Sequence, residues 1–116
     1  MRVAIRDYEP PPFTRSEFEG RFFEAVVAAG LPRPRVNYNL VGMEVDLYWP
    51  AHRLAVELDT YETHGTRDSF EEDHLRQEEL MLEGIAVTHV TGMRFAREPE
   101  AVIARLARLL ADRASP

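Results

Sequence analysis

The sequence predicts an α/β protein: an α/β/α sandwich with one mixed four-stranded sheet and the element order α-β-β-β-α-β-α. Three observations support this class. Apolar residues recur at helical spacing near the start of the 116-residue chain, and Pro99 suits the first turn of a last helix. Between them, short segments rich in Val, Leu and Tyr are separated by turn residues. The fourth such segment follows a helix, which favours a parallel crossover onto an antiparallel meander.

The chain is predicted to hold one domain, residues 14–116, behind a Pro-rich lead or linker, residues 1–13. The lead ends in Glu-Pro-Pro-Pro-Phe, which is expected to be extended because proline disfavours a helix before it. The first helix should begin near Thr14 or Ser16, since each is followed three residues later by a glutamate, as in a capping box. Gly30 should end this helix.

The remaining elements follow from apolar periodicity and turn signals. Strands are predicted at 35–40, 44–49, 53–58 and 85–90, helices at 67–83 and 99–113, and a loop at 91–97. The near-continuous apolar run of the third strand is typical of a central strand that is buried on both faces. In the second strand, strict alternation puts Val45 and Leu47 on one face and Glu44, Asp46 and Tyr48 on the other.

Composition narrows the function classes. Apolar residues make up 45% and charged residues 29% of the chain, as in soluble globular proteins. The sequence has no membrane-spanning apolar run and no signal-peptide core, so the expected location is cytoplasmic. The absence of Cys excludes disulfides, thiolate zinc sites and a Cys nucleophile. The net charge of -6 argues against a simple nucleic-acid binder unless some of the acids are metal ligands.

Carboxylates in the second and third strands are the first candidates for chemistry. Asp46 lies in the second predicted strand, and Glu57 and Asp59 lie at the end of the third. A charge among apolar residues is costly unless it is paired or bound to a metal. Two or three of these carboxylates with waters would suit Mg²⁺ or Mn²⁺. The alternative is that they face solvent or pair with Arg35 or Arg53.

Three more residues extend this pattern. His64 lies in a polar loop, where it is either merely solvated or, beside a metal-bound carboxylate pair, the base that activates water. Glu19 either turns toward the site or serves the N-terminus of the first helix. Asp73 either joins the site or pairs with Arg76 along the long helix. Converging carboxylates with one His indicate metal-dependent hydrolysis of a phosphodiester.

An ordered set of short motifs resembles the DUF559 family. The motifs run Ser16-Glu17-x-Glu19-x-x-Phe22-Phe23, Gly30-Leu-Pro-x-Pro, Glu44-Val-Asp46-Leu-Tyr-Trp-Pro50, Leu54-Ala-Val-Glu57-Leu-Asp59, His64-Gly-Thr, Phe70-Glu-x-Asp73 and Gly84-Ile-x-Val-x-x-Val. The resemblance covers roughly residues 14–112. That family is similar to very-short-patch-repair endonucleases within the PD-(D/E)XK superfamily, so the resemblance implies a restriction-endonuclease-like α/β/α sandwich.

The resemblance also implies roles for individual residues. Relatives use a Glu-Asp-His-Asp set, and the matching positions here are Glu19, Asp46, His64 and Asp73. Asp46 would be the principal Mg²⁺ ligand. Segment 57–59 falls on the second metal-binding strand of the superfamily, with the Leu58 carbonyl as a further ligand. His64 would activate the attacking water.

The sequence therefore favours a metal-dependent DNA endonuclease or nickase, with Arg67, Arg76 and Arg94 as the expected phosphate contacts. Two alternatives stay open. The domain also resembles the C-terminal partner of winged-helix, antitoxin-like regulators of actinobacterial type, which implies a catalytically degenerate nuclease fold that binds nucleic acid or protein. The other alternative is a scaffold that oligomerises through a sheet edge or its last helix. The sequence leaves the oligomeric state undetermined.

Overall fold

The computed structural model describes residues 11–60 and 67–114 of the chain, excluding the side chains of residues 67–70. Within these ranges the elements are α1 (Arg15–Ala28), β1 (Arg35–Leu40), β2 (Met43–Trp49), a 3-10 turn (Pro50–His52), β3 (Leu54–Asp59), α2 (Arg67–Leu82), β4 (Ala86–Thr91), α3 (Gly92–Arg97) and α4 (Pro99–Asp112). The predicted α/β class and its element order are confirmed, with α3 as an addition.

One mixed sheet forms the centre of the fold, with strand order β1-β2-β3-β4. β1, β2 and β3 form the predicted antiparallel meander. β4 pairs with β3 in parallel, from Leu54↔Ala86 to Asp59↔Thr91. A parallel pair needs a crossover connection, and α2 lies within it. As a result β3 is internal, and the C-terminal ends of β3 and β4 lie side by side.

Local signals set the ends of α1 and α2. Of the two predicted caps Thr14 is used: its hydroxyl accepts the Glu17 N–H, and the Glu17 carboxylate accepts the Thr14 N–H. Gly30 and Gly84 follow the two helices with φ of 76° and 77°. In each case the amides after the helix donate back to its last turn, which is the Schellman arrangement that glycine favours.

Helix α3 replaces the loop that was predicted at 91–97. The Thr91 hydroxyl caps it by accepting the Arg94 N–H at 3.1 Å, and Gly92 and Phe95 are buried. A six-residue helix is too short to leave a clear 3.6-residue apolar period in the sequence. The prediction of a loop was therefore wrong because this helix is too short to be recognised from the sequence pattern.

Both faces of the sheet are covered. The larger core cluster joins the sheet to α1, α3 and α4 through Phe18, Phe22, Val26, Leu47, Trp49, Leu54, Val56, Leu58, Val90, Phe95, Val102, Leu106 and Leu110. Phe13, assigned to the lead, stacks on Phe18 at 5.8 Å between ring centroids. On the other face, Leu80 is the one buried residue among the described side chains of α2. No helix in the described ranges is long and apolar enough to cross a membrane.

The strict alternation predicted for β2 is wrong around Asp46. Leu47 packs in the larger cluster, whereas Val45 and Tyr48 pack on the opposite face, in a smaller cluster with Leu40, Ala55, Leu80 and Ile85. The cross-strand register of β1 with β2 skips Asn37 and Asp46, and Asn37 has φ of 49°. A left-handed residue interrupts the pleat on which alternation depends. The interruption on β1 lies opposite Asp46 of β2, the principal candidate carboxylate.

Candidate active site

Asp46 is held where β2 and β3 cease to pair. The last β2–β3 residue pair on the Asp46 side is Leu47↔Val56. Beyond it, Asp46 Oδ2 accepts the Leu58 N–H at 2.7 Å, so a side chain replaces the backbone acceptor. The Asp46 side chain is only 11% exposed. A short, charge-assisted bond of this kind fixes the direction of the carboxylate.

The Arg15 guanidinium faces a set of three oxygens. Its Nη2 lies 3.2 Å from Asp46 Oδ1, and its Nη1 donates to the Leu58 carbonyl at 3.4 Å. Its Nε lies 3.4 Å from Glu19 Oε2. Two carboxylates and one backbone carbonyl, from α1, β2 and β3, therefore converge on a single cation. Arg15 was not among the predicted site residues, although its spacing of four from Glu19 is a recognisable helical ion-pair signal.

A second group of acids lies on the α2 side of the sheet. Glu57, Asp59 and Asp73 line a cavity of about 580 Å³. The parallel register sets Glu57 opposite His89, and Asp59 Oδ2 lies 3.3 Å from His89 Nδ1. His89 was also missed by the sequence-based prediction. Its place beside these acids depends on the β3–β4 register, which no local pattern encodes.

Acids of both groups act on the Glu57 carboxyl. Burial raises the pKa of the Glu57 carboxyl above its ordinary value. The nearby Asp46, Asp59 and Asp73 raise this pKa further, while His89 opposes the shift. The site thus concentrates negative charge, and a bound cation would relieve it.

The structure divides the predicted site residues between two places. One carboxylate pair, Glu19 and Asp46, faces Arg15. The other set, on the larger cavity, is Glu57, Asp59 and Asp73. The structure does not bring Asp46, Glu57 and Asp59 together as one metal-holding group: among the described side chains, no three His, Asp or Glu could jointly hold an ion. His64, the predicted base, lies outside the described residues.

The predicted phosphate contacts are also separated. Arg76 lines the 580 Å³ cavity with Asp73. Arg94 lines a cavity on the opposite face of the sheet, against Val102 of α4. The side chain of Arg67 is outside the described part of the structure. Of the three, Arg76 is thus the one whose described side chain lies beside candidate site acids.

Comparison with known sequences gives two relatives. No model of a known protein family matches the chain. Two curated proteins of Mycobacterium tuberculosis are similar to it: uncharacterized protein MT2308 of strain CDC 1551 / Oshkosh and uncharacterized protein Rv2248 of strain ATCC 25618 / H37Rv. Each is 32% identical over 119 residues, which cover 97% of this chain and 44% of the relative. The chain therefore spans less than half the length of the curated relatives it matches.

Comparison with solved structures identifies the fold. The chain is similar to the homing endonuclease I-Bth0305I catalytic domain, with a TM-score of 0.68 and 16% identity. The similarity covers 84% of this chain and 97% of that domain. At this identity the likeness concerns the fold alone. The chain has the α/β fold of a homing endonuclease catalytic domain, in agreement with the restriction-endonuclease-like sandwich implied by the sequence resemblance.

Proposed function

We propose that this domain is a divalent-metal-dependent endonuclease or nickase that hydrolyses phosphodiester bonds in DNA. The observation that carries the proposal is the convergence of Asp46, Glu19 and the Leu58 carbonyl on one cation position, which the Arg15 guanidinium fills. Oxygen ligands of this kind are those that Mg²⁺ and Mn²⁺ prefer. The fold shared with a homing endonuclease catalytic domain supports the same proposal.

The chain's own residues fit a divalent ion at this position. Asp46 is fixed by its bond to the Leu58 N–H, so little reorganisation is needed before binding. A small cavity of about 40 Å³, lined in part by Glu19, Asp46 and Leu58, leaves room for a water molecule beside the carboxylates. A bound Mg²⁺ would polarise the scissile phosphate and lower the pKa of a coordinated water.

The remaining predicted residues would act around this centre. Glu57 and Asp59 on β3, with Asp73 on α2, provide the negative potential that attracts cations to this edge of the sheet. His64 is the proposed base, since a neutral imidazole accepts a proton near neutral pH. Arg76, beside Asp73, is the proposed contact to a substrate phosphate.

A second candidate is a nuclease-fold module without catalysis that binds nucleic acid or protein. The observation that favours it is the Arg15 contact itself, because the guanidinium already supplies a positive charge to the Asp46 and Glu19 carboxylates. The curated relatives are more than twice as long as the matched region. A winged-helix regulator domain or another protein would then be the partner of this module.

The test is a calorimetric titration of Mg²⁺ and Mn²⁺ into the wild type and Asp46→Asn, with nicking of supercoiled plasmid measured on the same samples. Asn keeps an oxygen acceptor for the Leu58 N–H but removes the charge. Glu24→Gln, an exposed position on the same helix as Glu19, is the matched control.

The endonuclease proposal expects metal binding and nicking in the wild type and the control. Both should fall at least about tenfold in Asp46→Asn, because one charged ligand in such a site is worth about 1.4 kcal/mol or more. A wild type that neither binds metal nor nicks DNA would favour the second candidate.

A further inference from the structure

We infer that Arg15 is an internal counter-ion that holds the cation position of this site until a divalent ion displaces it. The inference rests on the proposed function, since it concerns the regulation of the same site. Three nitrogens of one guanidinium contact three different oxygen groups: Nη2 to Asp46 Oδ1 at 3.2 Å, Nη1 to the Leu58 carbonyl at 3.4 Å, and Nε to Glu19 Oε2 at 3.4 Å. The guanidinium therefore marks where positive charge is stabilised.

The two sides of this contact differ in how firmly they are held. The Asp46 side chain is 11% exposed, whereas the Arg15 side chain is 57% exposed. Asp46 is fixed through its second oxygen by the Leu58 N–H at 2.7 Å. An exposed Arg regains side-chain entropy when it leaves an ion pair. The oxygens are thus prearranged, and the cation is the exchangeable part.

The lengths of the contacts also favour exchange. Strong charge-assisted N–H···O⁻ bonds measure about 2.7–2.9 Å. The guanidinium contacts are 3.2–3.4 Å long, so each is weak. One positive charge on Arg15 leaves the Glu19 and Asp46 carboxylates with a net negative charge, whereas a divalent ion would neutralise both. Displacement frees a guanidinium on the first turn of α1, where it can contact an anionic substrate.

The inference is tested by titrating Mn²⁺ calorimetrically into the wild type, Arg15→Gln, Arg15→Lys and Arg21→Gln. Arg21 lies on the same helix but over the ring of Phe13, at 5.4 Å. Its substitution therefore removes the same charge without removing the contacts to the site. We expect Arg15→Gln to tighten Mn²⁺ binding about three- to tenfold, as expected for removal of a partly exposed competing ion pair. Arg15→Lys keeps a charge but lacks the planar guanidinium. Its Mn²⁺ affinity should lie between those of the wild type and Arg15→Gln.

A second measurement uses the wild type alone. The Nε–H resonance of Arg15, assigned by its loss in Arg15→Gln, should move toward the position of exposed arginines as diamagnetic Mg²⁺ is added. This readout follows the guanidinium directly and needs no catalytic activity. A resonance that is unchanged at saturating Mg²⁺ would show that no displacement takes place, and it would overturn the inference.

The outcomes separate this inference from the proposed function. If the wild type binds Mn²⁺ and Arg15→Gln binds no more tightly than Arg21→Gln, the counter-ion role is refuted while the proposed function stands. If only Arg15→Gln binds, Arg15 occupies the cation position but no divalent ion displaces it in the wild type, and the displacement that the inference states is refuted. If neither protein binds Mn²⁺, both the inference and the proposed function fail.

Discussion

Replacing Asp46 with Ala should destabilise the protein even when no metal is present. The substitution removes the acceptor of the Leu58 N–H, and Leu58 is only 2% exposed. A buried donor left without a partner costs about 1–3 kcal/mol. The lost ion pair with Arg15 adds only about 0.2–1 kcal/mol, because the Arg15 side chain is 57% exposed. We expect Asp46→Ala to lower the free energy of unfolding by about 2–3 kcal/mol in total. For Asn, which still accepts the bond, we expect about 1 kcal/mol.

Urea unfolding in a metal chelator measures this difference. The single Trp, Trp49, is 1% exposed and reports the loss of the core by fluorescence. With a denaturant slope of about 1–1.5 kcal/mol/M for a domain of this size, Asp46→Ala should lower the midpoint by about 2 M. Glu44→Ala, an exposed carboxylate on the same strand, should stay within about 0.5 kcal/mol of the wild type. Equal losses of stability in Asp46→Ala and Asp46→Asn would refute the stabilising role of the bond to the Leu58 N–H.

Two further predictions concern charge and backbone. Because burial raises the pKa of Glu57 in the folded state, the protonated carboxyl favours folding, and this contribution is lost as the pH rises through the raised pKa. Glu57→Gln should therefore stabilise the protein at neutral pH and lose that advantage in acid. Urea unfolding measures the difference in stability between the variant and the wild type, and an equal difference at both pH values would contradict this prediction. Gly84→Ala should cost about 1–2 kcal/mol, since φ is 77° and a Cβ would lie 3.4 Å from Arg53 Nη1. The same change at Gly20, inside α1 and in open space among the described residues, should stabilise by about 0.5–1 kcal/mol, and thermal unfolding of both variants should show opposite signs.

The secondary structure was largely predictable because its signals are local. β1 was predicted at 35–40 and spans Arg35–Leu40, and the other predicted strands and helices agree within about two residues. A capping box acts over three residues, and a glycine stop acts over one turn. The short helix α3 was not predicted, because its one buried aromatic residue, Phe95, gives no helical apolar period in the sequence.

The site was less predictable because its geometry joins distant parts of the chain. Arg15 and Leu58 are 43 positions apart, and their contact depends on the angle of α1 against the sheet. His89 meets Asp59 only through the parallel register of β3 with β4. The left-handed backbone at Asn37 is compatible with its residue type, since Asn tolerates that region, but residue type alone does not specify it. Pattern reasoning identified the carboxylates but not the cation that they face.

The stability of Asp46 variants decides how their metal binding is to be interpreted. Asp46 bonds the Leu58 N–H through one oxygen and faces Arg15 through the other, so Asp46→Ala alters the fold and the cation position together. Lost nicking in that variant could reflect partial unfolding, whereas Asp46→Asn keeps the bond and removes the charge. If the pair binds metal as proposed, Asp46→Asn weakens the affinity and Arg15→Gln strengthens it. A purely structural Arg15–Asp46 pair would lose stability in both variants and shift metal affinity in neither, so opposite shifts from two sides of one contact would identify a cation site.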